Sequence, residues 1–119
     1  MKKIVGLLLI LVALNSCDNL TQTNYYPDNI KKSEGRIYED HKTGEWNYWD
    51  KYGNLTKTEF YFETGELDCV REFYINGELK CIKYFDKGKP RGEWTFWDKE
   101  GQVSKKEFYE NGKLITTQE

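Results

Sequence analysis

The sequence predicts an all-β protein: a single-layer antiparallel meander of β-hairpins with about eight strands. Three observations lead there. Glycine recurs behind turn-forming residues roughly every 9 to 12 positions, the spacing of consecutive hairpins. The runs between the glycines, such as Thr58-Glu59-Phe60-Tyr61-Phe62, are rich in aromatic and β-forming residues. A tryptophan-rich stretch also occurs twice, so its residues are parts of a repeat and not of a unique site.

The chain opens with Lys2 and Lys3 followed by an apolar run over residues 4–14. That run is too short to span a bilayer, which takes roughly 20 residues. A basic flank before a short apolar run is the pattern of a secretory signal, here residues 1–16, removed from the mature chain. The run ends at Leu14-Asn15-Ser16-Cys17, which resembles a bacterial lipobox. The resemblance implies cleavage before Cys17 and acylation of its sulfur, with the acyl chains as the link to a membrane. Two or three chains anchor firmly where one is marginal, because each buried CH₂ contributes about 0.8 kcal/mol. The expected location is a bacterial cell membrane or outer membrane, with the domain outside the cytoplasm.

Residues 17–33 are polar, aperiodic and contain Pro27. They read as a lipidated cysteine and a flexible tether, with the repeat domain over 34–119. Tyr25 and Tyr26 could open a strand, but the proline argues against it.

The two tryptophan-rich copies are GEWNYWDKYGNLTKTEFY at 44–61 and GEWTFWDKEGQVSKKEFY at 92–109. They align without gaps at 11 identical positions of 18, 48 residues apart from Gly44 to Gly92. Inside them runs a finer motif: an aromatic, three residues, glycine, one residue, an aliphatic. It recurs at Trp49-Gly53-Leu55, Tyr61-Gly65-Leu67, Phe73-Gly77-Leu79, Trp97-Gly101-Val103 and Phe108-Gly112-Leu114, with Tyr84-Gly88-Pro90 as a degenerate copy.

A three-residue hairpin loop uses a type I turn followed by a left-handed glycine, which makes a bulge. That register sets the aromatic opposite the aliphatic: Trp49 with Leu55, Phe73 with Leu79, Phe108 with Leu114. Each such pair contributes roughly 0.2–1 kcal/mol. Gly53, Gly65, Gly77, Gly88, Gly101 and Gly112 are therefore structural turn residues. Asn76-Gly77 and Asn111-Gly112 also fit two-residue type I′ turns. The aromatics fall on both faces, with Trp49, Tyr61 and Phe73 expected on one and Trp46, Tyr48, Phe60 and Phe62 on the other.

The glycine–aromatic pattern resembles MORN-type repeats. The form GEW-aromatic-aromatic-D-x-x-G followed by EFY resembles the MORN variant of the YwqK-type antitoxin family, over about residues 35–114. The resemblance implies an elongated meandering sheet. It also implies a role in neutralising a toxin.

Catalytic and metal chemistry find little footing. His41 is the only histidine and sits in a turn, and no metal-ligand, phosphate-loop or nucleophile motif is present. No cofactor or metal is expected. The acids Glu45, Glu59, Glu93 and Glu107 recur at equivalent positions; paired acids can hydrolyse glycosides, but the equivalent placement favours cross-strand charge pairing with Lys57 or Lys105. The removal of Lys2 and Lys3 leaves sixteen basic against twenty acidic residues with alternating signs, which excludes the basic face of a nucleic-acid binder. The basic run Lys87-Gly88-Lys89-Pro90-Arg91 reads as a solvated turn.

Cys69 and Cys81 remain beside Cys17. A bulged turn at Gly77 would set them diagonally on one face at about 7 Å, the edge of bridging range, while a type I′ turn would separate them. Free cysteines are expected. Trp46, Trp49, Trp94 and Trp97 are the candidate binding residues, with sheet packing as the competing role. The functional expectation is a membrane-anchored lipoprotein serving as a non-enzymatic protein-interaction or structural module. An antitoxin or immunity protein is the alternative, and a glycan-binding module the third.

Overall fold

The computed structural model describes residues 19–119. The signal segment and Cys17 lie outside the described residues. The chain forms one nine-stranded antiparallel sheet with its strands in sequence order. The strands are β1 (Asn19–Tyr25), β2 (Lys31–Tyr38), β3 (His41–Trp49), β4 (Leu55–Tyr61), β5 (Leu67–Phe73), β6 (Leu79–Asp86), β7 (Lys89–Trp97), β8 (Val103–Glu110) and β9 (Lys113–Gln118). Every extensive strand contact is with a ladder neighbour, so the sheet is a single layer. No helix of the described residues is long and apolar enough to cross a membrane.

The expected tether is corrected. Residues 19–25 and 31–38 are paired strands, and the boundary placed at residue 34 falls inside β2. Pro27 does not break the hairpin because it occupies the second position of a type I turn, where its fixed φ is favourable. The turn closes from the Asn29 amide to the Tyr26 carbonyl at 3.0 Å, and Asn29 takes φ 66° where the later turns use glycine. Only Asp18 separates Cys17 from β1.

The same turn recurs after β3, β4, β5 and β7. At Gly53 the glycine amide bonds Asp50 at 3.0 Å and the Asp50 amide bonds Asn54 at 2.9 Å. Asp50 also accepts the Tyr52 and Asn54 amides on its carboxylate, and Asp98 does the same for Glu100 and Gln102. The expected pairs Trp49–Leu55, Tyr61–Leu67, Phe73–Leu79 and Trp97–Val103 all form. The last hairpin differs. Asn111-Gly112 is a two-residue turn with both residues at positive φ, which sets Leu114 opposite Tyr109 and moves Phe108 to Thr116. Glu39-Asp40 and Lys87-Gly88 turn the same way.

A second irregularity follows each aromatic–aliphatic pair. The register slips by one residue, which leaves Lys32, Thr56, Asp68, Lys80, Ser104 and Ile115 as bulges. These bulges reverse two expectations. Trp46, Tyr48 and Tyr61 share one face, called here the tryptophan face, while Phe60 pairs with Glu45 and Cys69 on the other. Cys81 lies opposite Glu72, and Cys69 opposite Tyr84, so the cysteines occupy opposite faces despite the bulged turn at Gly77. Both are free and buried.

Strands β1 to β3 and β5 to β7 match residue for residue at an offset of 48, and β4 matches β8 in its starting residue. The repeat is therefore two tandem four-strand units, much longer than the 18-residue stretch that revealed it. Gly35 faces the three residues Gly44, Glu45 and Trp46 in a wide bulge between β2 and β3. Lys83 faces Gly92, Glu93 and Trp94 in the same way.

Candidate functional site

On the tryptophan face each unit builds one aromatic–lysine–carboxylate cluster. In the first, the Trp46 indole N–H donates to the Arg36 carbonyl at 3.0 Å. The ring lies on Gly35, and Trp46 is 1 % exposed. The Lys42 ammonium sits 4.8, 5.2 and 5.6 Å from the ring centres of Trp46, Tyr48 and Tyr61. It also donates to the Tyr48 hydroxyl at 2.6 Å and lies 3.9 Å from Glu59. Burial, reinforced by Glu59, pushes the Tyr48 phenol well up and that of Tyr61 up to about 12.

In the second cluster Trp94 donates to the Tyr84 carbonyl at 2.9 Å and stacks 4.5 Å from Tyr109 and 5.4 Å from Phe85. Position 90 is proline, so the cation comes from the neighbouring strand instead. Lys83 lies 5.5 Å over Trp94 and Lys105 4.4 Å over Phe96. Lys105 over Phe96 repeats Lys57 over Tyr48, also at 4.4 Å, while the cation over the indole comes from β6 instead of from the indole's own strand, which fits the general attraction of ammonium groups for ring faces.

The equivalent acids do not assemble an acid–base pair. Glu59 and Glu107 lie on the tryptophan face, whereas Glu45 and Glu93 lie on the other. The expected cross-strand pairing with Lys57 and Lys105 is corrected: Glu59 and Glu107 pair with these lysines on their own strands, both at 3.8 Å. Glu93 pairs across the ladder with Lys106 at 2.7 Å. Both nitrogens of His41 face backbone carbonyls, of Glu39 and Glu63. Among the described residues no three His, Cys, Asp or Glu side chains converge as a metal site would require.

Trp49 and Trp97 end their strands beside the long turns and are half-buried. Their carbonyls accept hydrogen bonds from the Tyr26 and Tyr74 hydroxyls at 2.9 and 2.8 Å. These bonds tie each long turn to the hairpin beside it. The turns after β1, β3, β5 and β7 all lie at one end of the sheet, and two of them carry the most exposed large hydrophobics of the described residues: Tyr52, 76 % exposed, and Ile75, 81 % exposed. Sequence reasoning singled out the tryptophans and missed these two. Their signal was an apolar residue inside turn chemistry, as in Asp50-Lys51-Tyr52-Gly53.

Of the four tryptophans, Trp46 has no surface left for a ligand, Trp94 is partly covered by its ring partners, and Trp49 and Trp97 frame the turn end. No protein-family model matches the chain, and no curated protein matches it.

Proposed function

We propose that the protein is a lipid-anchored bacterial envelope protein whose repeat sheet binds another protein and performs no chemistry of its own. The observation that carries this reading is the pair Tyr52 and Ile75, apolar side chains held out in solvent on turns that hydrogen bonds make rigid. Exposed aromatic and aliphatic groups on a fixed scaffold are the usual anchors of an interface. On the motif resemblance the partner would be a toxin met at the envelope. A glycan platform is disfavoured because Trp46 is buried and lysines cover the rings of Tyr48 and Phe96.

The anchor and the interface are tested separately. Cys17→Ala should leave the precursor unprocessed and without acyl mass; a mature soluble chain with another start removes the anchor from the proposal. A photo-crosslinking residue at Tyr52 or Ile75 should capture one discrete protein in intact cells, and the same residue at Thr64, on a turn at the opposite end, should not. Equal capture at all three positions, or hydrolase activity lost on Glu45→Gln or Glu93→Gln, would overturn the interaction reading.

A further inference from the structure

Asn19, Arg36, Tyr38, Thr43 and Glu63 line a half-open cavity of about 360 Å³ at the end of the sheet where β1 begins. Arg36 and Thr43 are ladder partners, as are Asn19 and Tyr38. Among the described residues three polar ones are buried: Ser33, Thr43 and Thr58. Ser33 accepts from Asn24, and Thr58 donates to Asn47. Thr43 is 5 % exposed and its hydroxyl has no protein partner. No described side-chain polar atom is sealed away unsatisfied, so this hydroxyl opens to the cavity. The Arg36 guanidinium and the Glu63 carboxylate line the same space, and neither has a partner.

The repeat shows why the space is there. At the offset of 48, Arg91 stands for Thr43, Tyr84 for Arg36 and Asp68 for Leu20. Arg91 donates to Asp68 at 2.6 Å and to the Phe85 carbonyl at 2.9 Å, and lies 5.3 Å over the Tyr84 ring. Its guanidinium is fully engaged within the protein. In the first unit the shorter Thr43 leaves the place open, the cation moves to position 36, and position 20 holds no acid to meet it. Buried polar groups ordinarily find partners. This cavity offers a cation, an anion and a buried hydroxyl that no residue uses.

We propose that the cavity binds a phosphoethanolamine group, its phosphate on Arg36 and Thr43 and its ammonium on Glu63, presented by a phospholipid beside the anchor. The guanidinium fork matches phosphate oxygens, and a ligand with both charges satisfies both side chains. The lipid as source rests on the anchor proposed above. Asn19 lies two residues after Cys17, at most about 7 Å along an extended chain. The headgroup layer of one leaflet is about 5–7 Å deep. An acylated Cys17 thus brings the cavity to headgroup level. Tyr52 and Ile75 lie at the other end of the sheet, directed away from the membrane.

The test uses the full chain in dodecyl maltoside micelles, titrated by calorimetry with glycerophosphoethanolamine, the headgroup without its acyl chains. Saturable binding is expected, with inorganic phosphate weaker and glycine, which has both charges but no phosphate, inactive. Arg36→Gln should weaken headgroup binding about tenfold, the loss of one charge-assisted contact. Glu63→Gln should weaken it by a similar factor without weakening inorganic phosphate. Thr43→Arg, which copies the second unit, should abolish it. Arg36 and Glu63 are exposed, so circular dichroism should be unchanged in their variants. In phosphatidylethanolamine vesicles the soluble headgroup should no longer bind, because the lipid fills the site; in phosphatidylglycerol vesicles it should. Equal binding in both vesicles would overturn the lipid as source. Glycine binding as well as the headgroup, or full affinity in Glu63→Gln or Thr43→Arg, would overturn the site. The micelle titration does not require the acyl chains. A chain without acyl mass that still binds the headgroup would therefore remove the lipid source and keep the site, whereas an acylated chain that binds nothing would remove the site and keep the anchor.

Discussion

Trp46 lies flat against Gly35, so closely that a Cβ built on the glycine would overlap the indole carbons. The contact exists because Gly35 faces the wide bulge at Gly44, Glu45 and Trp46, which lets the indole fold over the strand to reach the Arg36 carbonyl. In the second unit Lys83 stands at the matching place, and Trp94 is left less covered.

Gly35→Ala should therefore cost about 1–3 kcal/mol, the range for overpacking a tight contact. A urea melt followed by tryptophan fluorescence reads the loss. Lys83→Ala in the second unit should change the midpoint far less. Equal effects at the two positions would show that Trp46 can move aside.

The tyrosine ties should act as independent units. Tyr26→Phe and Tyr74→Phe each remove one hydroxyl bond to a tryptophan carbonyl, and each should lower stability by about 1 kcal/mol. The two sites share no partner, so the double variant should lose the sum. A marked departure from additivity would mean that the two units unfold through each other.

The long turns need a left-handed residue. Gly53 and Gly101 have φ 87° and 82° with open space around them, so an alanine there meets backbone strain alone. Each substitution should cost about 1–2 kcal/mol, read as a shift of the denaturation midpoint. Asn29→Gly should leave stability equal or raise it, since asparagine at φ 66° does the glycine's work. Stability lost on Asn29→Gly would remove the first hairpin from the series.

The Cys81 thiol donates to Glu72 at 2.8 Å. That bond, ahead of burial and helped by Lys83, holds the Glu72 carboxyl below its ordinary value of 4.5. Burial first, then Glu72, pushes the Cys81 thiol from 9.0 up to about 12. A lowered carboxyl stabilises the fold above its unfolded value and ceases to as pH falls through the folded one. A raised thiol stabilises below about 9 and ceases to as pH climbs towards 12. Cys81→Ala should flatten both limbs of the stability–pH curve relative to the native chain and cost about 1 kcal/mol at neutral pH. Cys81→Ser keeps a donor and should retain the acid limb; in the first unit Ser33 fills this position and accepts from Asn24 at 3.0 Å. An alkylating reagent at neutral pH should label neither Cys69 nor Cys81 until the chain is unfolded.

The hairpins were legible because their turn chemistry is written in residue type: Asp50 and Asp98 before a glycine, an aromatic four residues ahead of it, an aliphatic two behind. The first hairpin was not, because Asn29 stands for the glycine and Lys31 for the aliphatic. Its trace was Tyr26, 48 residues before Tyr74. The face of each ring was also hidden. The bulges at Lys32, Thr56, Asp68, Lys80, Ser104 and Ile115 follow no single residue type, and one silent slip moves a whole strand's side chains to the other side. The candidate site was half legible for the same reason. Repetition marked the tryptophans, but whether each is covered depends on the partner position, glycine at 35 and lysine at 83.

Each strand leans only on its neighbours, and strand boundaries repeat every 48 residues. Length in such a chain is an inheritable quantity that changes in whole steps. An in-frame third copy of residues 19–66, inserted at its own boundary, would add four strands and lengthen the sheet by about 19 Å at the usual strand spacing, without asking any existing residue to repack. Loss of one copy would shorten it by the same step. A lineage carrying this architecture can therefore adjust how far its outer edge stands from its first strand by recombination alone, leaving the turn chemistry untouched.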